Sequence, residues 1–139
     1  MARILALDYG EKRTGIAVTD ELQLIASGLT TVPTVNLLSF LKIYIEREAP
    51  ELIIVGEPKR FNGEHSEVEK PIRKFIETLR EEIPGVPVKR VDERFTSKIA
   101  AQAMQEGGLK KKHRKNKALT DEISAAIILQ SYLSTKKNE

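Results

Sequence analysis

Carboxylates close a series of apolar runs that lie far apart in the chain. Asp8 follows "ILAL", Glu57 follows "LIIVG", Asp92 and Glu93 follow "VPVKRV", and Asp121 with Glu122 precede "ISAAIILQSYL". A run built for burial gains nothing from an ionised acid, because an unpaired carboxylate away from water is costly. Acids gathered at one place repel one another and take up protons unless a cation holds them ionised. Hard divalent cations such as Mg²⁺ or Mn²⁺ accept oxygen ligands of this kind, and two of them roughly 4 Å apart can clamp the attacking and leaving oxygens of a phosphodiester. The metal would polarise the phosphoryl oxygen and lower the pKa of a bound water, so hydrolysis would need no nucleophilic side chain. Any single acid at a strand or helix end is more simply a cap or a solvated residue, and Asp121 alone would suit the first turn of a helix. Their joint placement is what points to chemistry.

The cations match a phosphate-bearing substrate. Lys12 and Arg13 stand between Gly10 and Gly15, in a turn whose backbone amides could also meet a phosphate. Net charge is only +3, yet residues 110–117, "KKKHRKNK", hold six Lys and Arg and no acid, leaving −3 for the rest of the chain. A charge run is by itself a solvated loop. This one lies a few residues before Asp121, where Lys110, Lys111, Lys112 and Arg114 would draw phosphates towards carboxylates that otherwise repel them. Arg94, next to Glu93, could orient a scissile phosphate or pair with Asp92. Among the few aromatics, Phe61 and Phe95 could stack on bases, whereas Tyr9 is assigned to packing.

Composition excludes other chemistries. The chain has 139 residues with 40% hydrophobic and 31% charged, as in a soluble globular protein, and is read as one domain over residues 1–139. With no cysteine there are no disulfides, thiolate metal sites or cysteine nucleophiles; His65 and His113 are too few for a histidine metal site. No apolar run reaches the roughly 20 residues of a membrane span, and no secretory leader is evident, so the expected location is the cytoplasm.

The elements that must position the acids follow from periodicity. Residues 3–9 are an apolar run expected of a central strand, residues 10–15 a turn, and "TGIAVTD" and "LQLIASGLTTV" two further strands of a meander. Leu37, Leu41 and Ile45 mark a helix that ends before Pro50, and "LIIVG" is a buried strand. Ser66 and Glu69 have capping-box spacing ahead of a helix whose apolar face includes Ile72, Ile76 and Leu79. "VPVKRV" is the fifth strand. An alanine-rich helix over residues 97–106 follows, then the basic loop and a last helix capped by Thr120, apolar on most sides and expected to pack deeply. A meander followed by two right-handed crossovers predicts a mixed five-stranded sheet, three strands antiparallel and then two parallel, with helices on both faces. The acids then share one edge of that sheet, while Asp20 returns to the opposite edge.

"ALDYGEKRTGIAVTD", "IIVGEPKRFNGEHS", "VDERFTS" with the alanine-rich helix after it, and "LTDEISAAIILQSYL" together resemble the YqgF/RuvX family over nearly the whole chain and in the right order. The resemblance implies an α/β, RuvC-like and RNase H-like fold. It also implies a metal-dependent nuclease, proposed for Holliday junctions and, as the favoured role, for maturing the 5′ end of 16S ribosomal RNA, with the pre-ribosomal particle as a partner. The catalytic acids it implies are Asp8, Glu93 and Asp121. Two positions depart from the family pattern: Glu57 stands where it reads V-G-L-P, and Asn62 where it reads D-G. Glu57 is therefore an extra acid and a substitute ligand. It starts from the strand expected beside Asp8, roughly 4.8 Å away, one strand nearer than Glu93.

Three other readings compete with an RNA endonuclease: the same chemistry on branched DNA, a nucleotide-binding module, and a non-catalytic nucleic-acid-binding relative. Asp-x-Gly with a second glycine also occurs in the phosphate loops of actin-like ATPases, but those proteins close two such domains around the nucleotide, and this chain is long enough for one. No sequence feature marks a face for a second copy.

Overall fold

The computed structural model describes residues 2–57, 69–92 and 117–137. Five strands, β1 (Ile4–Asp8), β2 (Arg13–Thr19), β3 (Ala26–Pro33), β4 (Leu52–Glu57) and β5 (Val88–Asp92), form one sheet in the order β3-β2-β1-β4-β5. β1–β2 and β2–β3 pair antiparallel, and β1–β4 and β4–β5 pair parallel. This is the mixed sheet that the sequence predicts. β1 and β4 lie at its centre because "ILAL" and "LIIVG" can be covered on both faces at no polar cost.

Strand alternation separates two cores. Leu5, Leu7, Ile53 and Val55 pack on one face against α1 (Leu37–Glu48), through Leu37, Leu41 and Tyr44, and α2 (Glu69–Glu82), through Ile72, Ile76 and Leu79. Ile4, Ala6, Ala17, Leu52 and Ile54 pack on the other face against Ala125, Ile128, Leu129 and Leu133 of α3 (Lys117–Lys137). Each fully buried Leu or Ile stabilises the fold by about 1.5–3 kcal/mol. The residues facing α3 include Ala6, Ala17 and Gly15, which let that helix approach the sheet closely.

Four expectations change in detail. β2 begins at Arg13, so the first turn is shorter than residues 10–15. β3 begins at Ala26, because Leu22, Leu24 and Ile25 belong to a pinned loop. Thr120 lies inside α3, which begins at Lys117, and cannot be its N-cap. Over residues 121–135 of α3, where burial is described, one stripe is fully buried and its flanks are half-buried. Ser66 and the helix expected over residues 97–106 lie outside the described residues, and among the described residues no helix is long and apolar enough to cross a membrane.

Candidate active site

Asp8 ends β1 directly opposite Gly15 of β2. Cross-strand partners have Cα atoms roughly 4.5–5.5 Å apart and side chains on the same face. That face is the one α3 covers, since Asp8 shares its alternation with Ile4 and Ala6, and Gly15 shares it with Ala17. A Cβ on Gly15 would lie 2.0 Å from the carbonyl oxygen of Asp121 and 3.0 Å from its Cβ. The first described turn of α3 therefore rests on bare backbone, and Asp121 sits over the residue paired with Asp8. Gly15 is the small residue that joins the two acids.

Arg13 completes the cluster from the same face of β2. Its Nε donates to Oδ2 of Asp121 at 2.5 Å, with both side chains partly exposed. A charge-assisted bond of this kind fixes the carboxylate's orientation and offsets its charge. Arg13, expected from the sequence to meet a substrate phosphate, is engaged with Asp121 in the structure.

The turn that aims these residues is itself clasped. A Cβ on Gly10 would fall 2.5 Å from the Arg13 carbonyl oxygen, so no side chain fits this turn without moving backbone. The Thr34 hydroxyl donates to the Gly10 carbonyl at 2.6 Å, the Thr34 N–H donates to the Lys12 carbonyl at 3.0 Å, and the Thr14 and Thr34 hydroxyls lie 3.0 Å apart. Lys12 is left exposed at the tip. Tyr9 packs on Phe75 with ring centroids 5.4 Å apart, as the packing assignment expects, and burial with help from Glu11 raises its phenol pKa.

The other acids divide by strand parity. Leu7 pairs with Val55, which brings Gly56 rather than Glu57 level with Asp8, and Glu57 shares its face with Ile53 and Val55 on the α1/α2 side. Asp92 pairs with Glu57. Glu122 lies over β3, with Thr31 donating to its carboxylate at 3.5 Å. Among the described residues no three His, Cys, Asp or Glu form a group that could hold a metal ion. Glu93, Arg94, Lys110, Lys111, Lys112 and Arg114 lie outside the described residues.

One ionic network escaped the sequence reading. Arg90 of β5 donates to both oxygens of Glu69 at 2.6 and 3.0 Å, and to the Val55 and Gly56 carbonyls at 3.2 and 2.8 Å. Arg73 adds a bond to Glu69 at 2.8 Å. Glu69 is 3% exposed. Burial would raise its pKa, but the bonds from Arg90 and Arg73 outweigh burial and hold it below the usual 4.5. The network ties the C-terminal end of β4 to the start of α2 and so stiffens the edge beside Asp8. Glu69 thus serves Arg90 and Arg73, a role that capping-box spacing does not reveal. A charged residue at a covered position of β5 was the available signal.

A family model described as "RuvX: Holliday junction resolvase" matches residues 2–135. The chain belongs to the RuvX family. It is 64% identical over 137 residues, 99% of each chain, to a protein of Phocaeicola vulgatus named "Putative pre-16S rRNA nuclease", and 59% identical with the same coverage to one of the same name in Bacteroides thetaiotaomicron. Thermus thermophilus RuvC in complex with a Holliday junction substrate matches with a TM-score of 0.59 at 18% identity, over 97% of this chain and 98% of that one. A second Thermus thermophilus RuvC structure gives 0.59 at 16% identity, over 98% and 96%. These likenesses establish the RuvC-like, RNase H-like fold of this RuvX family member.

Proposed function

We propose that this chain, acting as one domain in the cytoplasm, is a metal-dependent endonuclease on structured nucleic acid that matures the 5′ end of precursor 16S ribosomal RNA, free or within a pre-ribosomal particle. The observation that carries the reading is the seating of Asp121 on Gly15, the cross-strand partner of Asp8. Two hard oxygen donors then share one face at the end of the central strand, which suits Mg²⁺ or Mn²⁺. The proposed ligands are Asp8, Asp121 and Glu93. Glu93 is included on the strength of the "VDERFTS" stretch that resembles the family. The bound cation would supply positive charge to the phosphodiester and to an attacking water. Glu57, on the other register face, is at most a substitute.

The protein's own residues do the rest. Arg13 keeps Oδ2 of Asp121 engaged and the carboxylate oriented. Lys12 stands exposed at the clasped turn, where it can contact a phosphate. Arg94 and the run containing Lys110, Lys111, Lys112 and Arg114 are assigned to the nucleic-acid backbone. The same chemistry on branched DNA is the second reading, favoured by the description that the family carries.

A cleavage assay decides between them. Precursor 16S rRNA and a four-way DNA junction are incubated with the protein in Mg²⁺ or Mn²⁺, beside Asp8→Asn. Cleavage of the RNA that Asp8→Asn abolishes while binding persists supports the proposal. Full activity in Asp8→Asn contradicts the metal site, and cleavage of the junction alone transfers the chemistry to DNA.

A further inference from the structure

We infer that the β2–β3 hairpin tip is a protein-docking surface whose partner offers an apolar socket rimmed by Lys and Arg. Resting on the reading above, we assign that partner to the protein component of the pre-ribosomal particle. Leu22, Leu24 and Ile25 are 61, 55 and 64% exposed within four consecutive residues. Exposed apolar residues scattered singly are ordinary, but three together on one turn form a patch.

The turn is rigid. Gln23, buried between Leu22 and Leu24, adopts φ 60° and donates its side-chain amide to the Ala2 carbonyl at 2.7 Å and to the Glu51 carboxylate. The Asp20 carboxylate accepts the Leu24 and Ile25 N–H groups, each at 2.8 Å, and the Gln23 N–H donates to the Asp20 carbonyl at 3.0 Å. A non-glycine residue in the left-handed region is uncommon and costs free energy. Here Gln23 turns inward, while Leu22, Leu24 and Ile25 face outward. Such preorganisation lowers the ordering cost of binding, as expected of an anchor that enters a pocket.

Charge selects the partner. Asp20, Glu21 and Glu51 surround the tip, and their carboxylates repel a polyphosphate but complement a basic protein. Two copies meeting through this patch would set acid against acid. The tip also lies beside Ala2 and Glu51, at the opposite end of β1 from Asp8, and five residues of strand separate the two by roughly 16 Å. A partner docked there leaves the acidic edge open to RNA.

Co-sedimentation with purified precursor small-subunit particles tests the proposal, with naked precursor 16S rRNA as the parallel probe. The double variant Leu24→Asp with Ile25→Asp is expected to bind particles at least tenfold more weakly while binding naked RNA unchanged, and Glu21→Lys to weaken particle binding severalfold. If the double variant melts early, Leu24→Ser with Ile25→Ser serves in its place. Unchanged particle binding overturns the proposal, as does an equal loss on naked RNA, which would make the tip an RNA contact. A wild-type dimer in sedimentation velocity that the variant dissolves assigns the tip to a second copy and also overturns it. A protein that binds particles through the tip but cuts no RNA defeats the nuclease reading and leaves the docking surface standing.

Discussion

Gly15→Ala is the substitution that most sharply separates contact from chemistry. No charge changes, and the Gly15 backbone lies outside the left-handed region, so alanine meets no conformational penalty there. The added methyl would lie 2.0 Å from the Asp121 carbonyl oxygen and 2.4 Å from its carbon, both backbone atoms that no rotamer can move. Reaching an ordinary contact of 3.4 Å requires α3 to retreat by about 1.4 Å, carrying Asp121 away from Asp8. Misplacement of about 1 Å in a reacting site costs roughly 10²-fold in rate, and overpacking costs about 1–3 kcal/mol. Gly15→Ala should therefore cut precursor 16S rRNA at least about 100-fold more slowly and melt roughly 5 °C lower. Gly85→Ala, where nothing lies within 4 Å, is the control and should keep both values. A Gly15→Ala protein with wild-type rate and melting temperature would refute the seating of α3 on β2 and the acid pair that depends on it.

Three further substitutions probe the edge. Glu57→Gln should leave the cleavage rate within about twofold of wild type, because register puts Glu57 on the α1/α2 side, while Asp121→Asn loses about 10²-fold or more; equal losses in a single-turnover assay would return Glu57 to the ligand set. Glu69→Gln should cost about 3 kcal/mol at pH 7, since it removes the negative charge that Arg90 pairs with. The pKa of Glu69 is depressed by folding, so its contribution is complete above about pH 5 and is lost as pH falls below the usual 4.5 through the lower folded value. The stability gap between variant and wild type in urea melts should therefore narrow from pH 5 to pH 3, and a constant gap would contradict the network.

The sheet was legible because its signals are local. "ILAL" and "LIIVG" are apolar throughout and bounded by turn residues, so their central position follows from burial alone. The side of each strand's last residue was not legible, because it depends on register. Proximity of strands nominated Glu57 as a neighbour of Asp8, but the pairing of Leu7 with Val55 brings Gly56 level with it. Spacing marks Gly15 as a turn glycine, and its role as the bed of α3 needs a helix more than 100 residues away. Arg13 likewise finds Asp121 across 108 residues, a pairing that spacing cannot show. The β2–β3 tip read as strand because Leu22, Leu24 and Ile25 are apolar; the inward turn of Gln23 at positive φ overrides that pattern.

In the proposed site, Asp8 and Asp121, gathered across Gly15, hold a divalent cation for phosphodiester hydrolysis. Crystals of the protein soaked in Mn²⁺ and measured at the manganese absorption edge test it directly. An anomalous peak is expected within about 2.0–2.6 Å of carboxylate oxygens of both Asp8 and Asp121, absent in Asp8→Asn. A fully occupied Mn²⁺ elsewhere, with cleavage that still requires the metal, would contradict it.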